Sequence, residues 1–160
     1  MRISLIVLLA FAIVGCQNKK AFEASKLGIE WELVKNDYDG KGNFLATLTF
    51  NSESALPTTG WQIFFNLRYH GYDLGSKTKG LQISHVNGEL FAIIPTAEFQ
   101  SGKSLKMEFT GARKVANFQD VPSGFFFVGD DGKAIEITRT IKEPGVELHN
   151  NYVDERISLK

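Results

Sequence analysis

Residues 81–95 read LQISHVNGELFAIIP, and this stretch decides the fold. Leu81, Ile83 and His85 alternate with Gln82 and Ser84, and a second apolar run follows from Leu90 to Ile94. An apolar period of two marks a strand with one buried face. Between the runs stands Asn87-Gly88. Both residue types tolerate positive φ, so the pair signals a tight two-residue hairpin. A turn at these two positions sets Ser84 opposite Phe91 and Gln82 opposite Ile93. In that register Phe91 lies on the face opposite Leu90, Ala92 and Ile94 and points outward.

The same period extends along the chain in both directions. Leu27, Ile29, Trp31 and Leu33 alternate with Gly28, Glu30 and Glu32, and Phe44, Ala46, Leu48 and Phe50 with Leu45, Thr47 and Thr49. Trp61, Ile63, Phe65 and Leu67 alternate with Gln62, Phe64, Asn66 and Arg68. Further strands are expected at 104–110, 125–128 and 134–138. Both tryptophans are in phase with core positions. Phe125-Phe126-Phe127-Val128 is apolar on both faces and reads as a central strand covered on each side. Turn-forming Gly, Asn and Asp separate the runs at 36–42 and 130–132. Eight short strands with such turns predict an all-β fold, an antiparallel two-sheet β-sandwich over residues 27–138. From 139 to 160 the alternation lapses, and that segment reads as an extended tail or linker.

Length and charge bound the rest. A chain of 160 residues fits one domain, and one of this size closes a core without disulfides or metal. Its 18 basic and 18 acidic side chains leave no cationic excess for nucleic acid. A TIM barrel, at roughly 200 residues or more, does not fit.

Arg2 and the apolar run 3–14 form an export signal that is too short for a membrane helix of about 20 residues. The run ends in Ile13-Val14-Gly15-Cys16, which matches a bacterial lipobox with Ile in the usual Leu position. Cys16 is the only cysteine, so it has no disulfide partner within the chain. The expectation is therefore a signal peptide at 1–15, a lipid on Cys16 and a polar tether at 16–26. The protein would be exported and lipid-anchored to the cell envelope. Gln17 follows the cysteine, which in a Gram-negative cell resembles the outer-membrane sorting pattern. The alternative is an ordinary secretory signal with an incidental cysteine.

Catalytic chemistry is not apparent. His70, His85 and His149 lie in separate segments without metal-ligand spacing. His85 is expected in the core with a satisfied ring nitrogen. Asp37, Asp39 and Gly40 resemble part of a calcium loop, but the glycine comes too early and no glutamate follows at the required distance, so a hairpin turn is expected. Asp154-Glu155 reads as a solvated charge pair. No catalytic residue, metal or cofactor is expected.

Four blocks carry a family resemblance: SALPTTGWQIFFN at 54–66, ISHVNGELFAIIP at 83–95, FQSGKSLKMEF at 99–109 and DVPSGFFFV at 120–128. Together they resemble the N-terminal domain of bacterial chitobiases and β-N-acetylhexosaminidases, the family 20 glycoside hydrolases. The resemblance implies a sandwich similar to cellulose-binding modules and a role in carbohydrate binding. Glu89 stands where the family often has Asp, and the family's catalytic barrel has no counterpart in these residues. The chain is thus expected to be non-catalytic. A sugar-binding sandwich offers aromatic rings to pyranose C–H faces and polar groups to hydroxyls. Phe64 and Phe91 are the candidate platform, with Tyr69, Tyr72 and Asp73 in the next loop as hydrogen-bonding candidates. The expected partners are a glycan, with N-acetylglucosamine polymers suggested by the family, and the membrane through Cys16. Two alternatives stand beside this reading: a module docking a separate envelope glycosidase, and the N-terminal fragment of a hexosaminidase.

Overall fold

The computed structural model describes residues 21–68, 74–116 and 118–141. The alternating runs form strands β1 (Gly28–Lys35), β2 (Phe44–Asn51), β3 (Trp61–Asn66), β5 (Leu81–Asn87), β6 (Leu90–Pro95), β7 (Ser104–Gly111), β8 (Ser123–Gly129) and β9 (Ala134–Glu136). Two short strands join them, β4 (Gly75–Ser76) and β10 (Thr138–Ile141). The first sheet has the order β10-β1-β2-β7-β4 and the second β5-β6-β3-β8-β9. All pairings are antiparallel except that of β1 with β10, which sets Gly28 opposite Thr138 and Trp31 opposite Ile141 in parallel. The sheet therefore continues past residue 138. Buried Ile137 turns the chain from one sheet to the other, its N–H held by the Phe125 carbonyl at 2.9 Å.

The two inner faces meet in one core. Ile29, Trp31, Phe44, Leu48, Phe50, Met107 and Phe109 come from the first sheet, and Trp61, Ile63, Phe65, Ile93 and Phe125 from the second. Each such side chain contributes about 1.5–3 kcal/mol by leaving water, which makes the period-two pattern the main determinant of which face turns inward. Both tryptophans are core residues, as their phase indicates.

The stretch expected as a tether is in part packed. Ala24 and Leu27 are buried, and the Phe22 ring lies 5.1 Å from that of Phe127. Ser54 Oγ donates to the Ala21 carbonyl at 3.1 Å. The 36–43 segment is a hairpin loop whose carboxylates brace the loop, with Asp37 also 3.9 Å from Lys114 Nζ. Asp37 accepts the Gly42 N–H, and Asp39 accepts the Lys41 N–H and the Asn43 side-chain amide.

The hairpin at 81–95 differs from its expected register by one residue. The two-residue turn is Gly88-Glu89, with Asn87 opposite Leu90 and positive φ (55°) at Gly88 alone, the pattern of a type II′ turn. A bulge between His85 and Asn87 then sets His85, not Ser84, opposite Phe91. A one-residue slip exchanges the faces of a strand. Phe91 accordingly points inward and is 2% exposed, while Ala92 and Ile94 belong to the outer face. Burying the larger ring favours this register. His85 is half-buried, edge-on to Phe91 at 5.2 Å, with Nε2 2.9 Å from the Gly88 carbonyl oxygen.

Candidate functional site

The outer face of the second sheet carries an apolar strip. In the central strand β3, Gln62, Phe64 and Asn66 point away from the core, and their neighbours Trp61, Ile63 and Phe65 are buried. Phe64 pairs across to Ala92 of β6 on one side and to Phe126 of β8 on the other, and Gln62 pairs with Val128. The rings of Phe64 and Phe126 stack at 5.0 Å between centroids and 10° between planes. Both are half-buried, as are Ile94 and Val128. Gln62 and Asn66 of β3 and Gln82 of β5 surround the strip with exposed neutral amides.

This arrangement corrects the expected platform. Phe64 is at the outer face as anticipated, but Phe91 lies in the core, stacked on Phe65 at 5.8 Å. The ring beside Phe64 is instead Phe126. Strand β8 is covered on one face only, with Phe125 and Phe127 buried and Phe126 turned outward. Tyr69, Tyr72 and Asp73 lie outside the described residues, as does Cys16.

At the end of β3 the strip opens into a groove of about 340 Å³ between Gln62, Ile94, Pro95, Val128 and Asp130. Its size is at the lower end of the roughly 300–1,000 Å³ of small-molecule clefts. Two turns build it. The Trp61 indole N–H donates to the Pro57 carbonyl at 2.7 Å and fixes the approach to β3. Opposite, the Gly132 N–H closes the β8–β9 turn on the Gly129 carbonyl at 3.0 Å. Asp131 caps that turn by accepting the Lys133 N–H at 3.1 Å, whereas Asp130 is not used by it. The Asp130 carboxylate lies against Gly60 so closely that a Cβ there would collide with it. Gly60 has φ 76°, so the backbone itself favours glycine at position 60, whereas the exposed carboxylate could swing aside from a Cβ. The sequence marks Asp130 only as part of the 130–132 turn and gives Gly60 no role at the site. Nothing in the local pattern links two turns 70 residues apart.

A second depression of about 620 Å³ lies beside Lys79, Glu98, Phe99 and Leu105. Its charges are matched to each other, with Lys79 Nζ 3.4 Å from Glu98. At the far end of β3, Arg68 is engaged by Glu89 at 3.9 Å and Gln119 at 3.4 Å. Among the described residues no three His, Cys, Asp or Glu side chains assemble as metal ligands.

A protein-family model described as "Putative carbohydrate binding domain" matches residues 21–157. Among solved structures, the chain is similar to a GH20 exo-β-N-acetylglucosaminidase from Vibrio harveyi in complex with N-acetylglucosamine. The identity is 16% and the TM-score 0.57, over 76% of this chain and 19% of the enzyme. A family GH18 chitinase from Chromobacterium violaceum is similar at 14% identity and TM-score 0.50, over 72% of this chain and 20% of that one. These likenesses establish the sandwich fold, and the chain spans about a fifth of the length of either enzyme. No curated protein is significantly similar to the chain.

Proposed function

Because the chain belongs to the carbohydrate-binding domain family of chitobiases and β-N-acetylhexosaminidases, we propose that it is a non-catalytic glycan-binding module, using the outer face of its second sheet. The observation that carries this reading is the strip of half-exposed Phe64, Phe126, Ile94 and Val128 running into a groove with a carboxylate and an amide. Pyranoses have the matching character, with apolar C–H faces and a rim of hydroxyls. Affinity at a shallow site of this size is about micromolar to millimolar. N-acetylglucosamine-containing glycans are the leading class, supported by the ligand in the Vibrio harveyi enzyme structure.

The sequence further supports export and lipid attachment at Cys16, which would hold the sandwich at a bacterial envelope. Cys16→Ala tests the anchor: loss of acyl mass and release from the membrane fraction are expected, and unchanged membrane retention would discard it. Binding is tested by co-sedimentation of the full chain in detergent with swollen, amorphous chitin and cellulose, whose single chains are accessible, and with peptidoglycan. Retention on at least one of them is expected, weakened in a folded Phe64→Ala variant that alters the strip leading into the groove. The absence of retention on any glycan would favour the docking alternative, in which the module supplies a separate glycosidase. That alternative gains support because the same fold occupies 19% of a larger enzyme chain.

A further inference from the structure

We propose that this face takes a short run of a single neutral glycan chain in the groove, with Asp130 accepting hydrogen bonds from its hydroxyls, and does not adhere to the flat face of an ordered polysaccharide. The inference rests on the glycan reading above and specifies the form of ligand.

The ring geometry excludes a flat platform. Two coplanar phenyl rings in contact need about 6.3 Å between centroids, from a closest C···C approach of about 3.5 Å plus two ring radii of about 1.4 Å. Phe64 and Phe126 are 5.0 Å apart and tilted by only 10°. At that distance near-parallel rings must overlap, with a lateral slip of roughly 3–3.6 Å for a plane separation of about 3.5–4 Å. One face of each ring is therefore spent on the other, and the two remaining faces look in opposite directions. No flat surface can lie on both. Ala92, the residue opposite Phe64 on the other side, is 2% exposed, so the strip is closed there as well.

The groove has what the ring pair lacks. Ile94, Pro95 and Val128 give it apolar walls, and Gln62 provides both donors and an acceptor. No donor among the described residues reaches the exposed Asp130 carboxylate, which leaves its lone pairs for a ligand. A carboxylate accepts from vicinal hydroxyls with charge-assisted strength and repels anionic sugars. The second depression offers no such group, because its Glu98 is paired with Lys79.

The test titrates the full chain in detergent with soluble tetramers of N-acetylglucosamine, glucose and galacturonic acid, beside co-sedimentation with crystalline chitin and cellulose. Asp130→Ala and the size-conserving Asp130→Asn are compared with the wild type after thermal melts; the second variant serves if the first fails to fold. A neutral tetramer should bind in solution, and a folded Asp130 variant should weaken it by about tenfold or more. Tetramer binding that a folded Asp130 variant leaves unchanged would overturn the groove assignment. Retention on crystals alone, or preference for the uronic tetramer, would overturn the proposal while leaving glycan binding intact. Binding to none of these probes would remove the glycan reading itself, and the proposal with it.

Discussion

Replacing Phe91 by alanine separates the inward register of the hairpin from the outward one. In the structure Phe91 is 2% exposed, stacked on Phe65 at 5.8 Å and met edge-on by His85 at 5.2 Å. Truncation removes the transfer free energy of the ring and leaves a cavity that strands on both sides cannot close, so the cost is about 3–5 kcal/mol. Phe64→Ala is the internal control. That ring is half-buried with one stacked partner, and roughly half of a full transfer term gives about 1–2 kcal/mol. Urea unfolding measures the difference. With an m-value of about 2 kcal/mol/M, Phe91→Ala lowers the midpoint by roughly 2 M and Phe64→Ala by under about 1 M, with m unchanged. A cost of about 4 kcal/mol is a large part of a domain's total stability, so the Phe91 variant should also lie close to unfolding at 37 °C. A Phe91→Ala protein with the wild-type midpoint would refute the inward assignment and restore the ring to the outer face.

Three further outcomes follow from other contacts. Gly60→Ala should destabilise by about 1–2 kcal/mol through its positive φ, and by nearly the same amount in an Asp130→Ala background, because the exposed Asp130 carboxylate can swing aside from the new Cβ. A neutral substitution would show that position 60 does not hold the left-handed conformation. Asn36→Ala should cost about 2–3 kcal/mol, because its amide makes two 2.9 Å bonds to the backbone of buried Val115; a neutral result in chemical denaturation would contradict that link. For Asp39, desolvation acts to raise the pKa, but hydrogen bonds from the Lys41 N–H and Asn43 outweigh it and hold the carboxyl below its ordinary 3.8. The stabilisation of the loop is therefore present above the unfolded pKa and is lost as pH falls through the lower folded value. An NMR titration should find Asp39 below 3.8 and moving upward in Asn43→Ala; a value above 3.8 would mean that the loop is open in solution.

What the sequence disclosed depended on how local the cause was. Alternation over six to eight residues is a local property with a large energy behind it, so the strands and the burial of Trp31 and Trp61 could be read directly. Register was less accessible. Whether the turn uses Asn87-Gly88 or Gly88-Glu89 is a choice of one residue, decided by burying Phe91 rather than Ala92 across the whole hairpin. Phe126 was hidden for a related reason: three consecutive phenylalanines carry no alternation, and only the pairing with β3 shows which one faces out. Strand β4 has two residues and no pattern to detect. The groove was out of reach because Gly60 and Asp130 meet only once β3 and β8 are paired, with Trp61 opposite Gly129. The outward positions of Phe64, Gln62 and Asn66 could be read from their own strand, whereas the ring beside Phe64 could not.

The parallel pairing of β1 with β10 has a mechanical consequence. Gly28 and Thr138 begin the paired segment side by side, and both strands then run the same way to Trp31 and Ile141. A pull on the chain ahead of Gly28, opposed by one beyond Ile141, drags the two strands along their length in opposite directions. All the hydrogen bonds between them are strained at once instead of parting in sequence from one end. The first and last strands among the described residues thereby act as a shear clamp, set where tension along the chain from either side enters the sandwich.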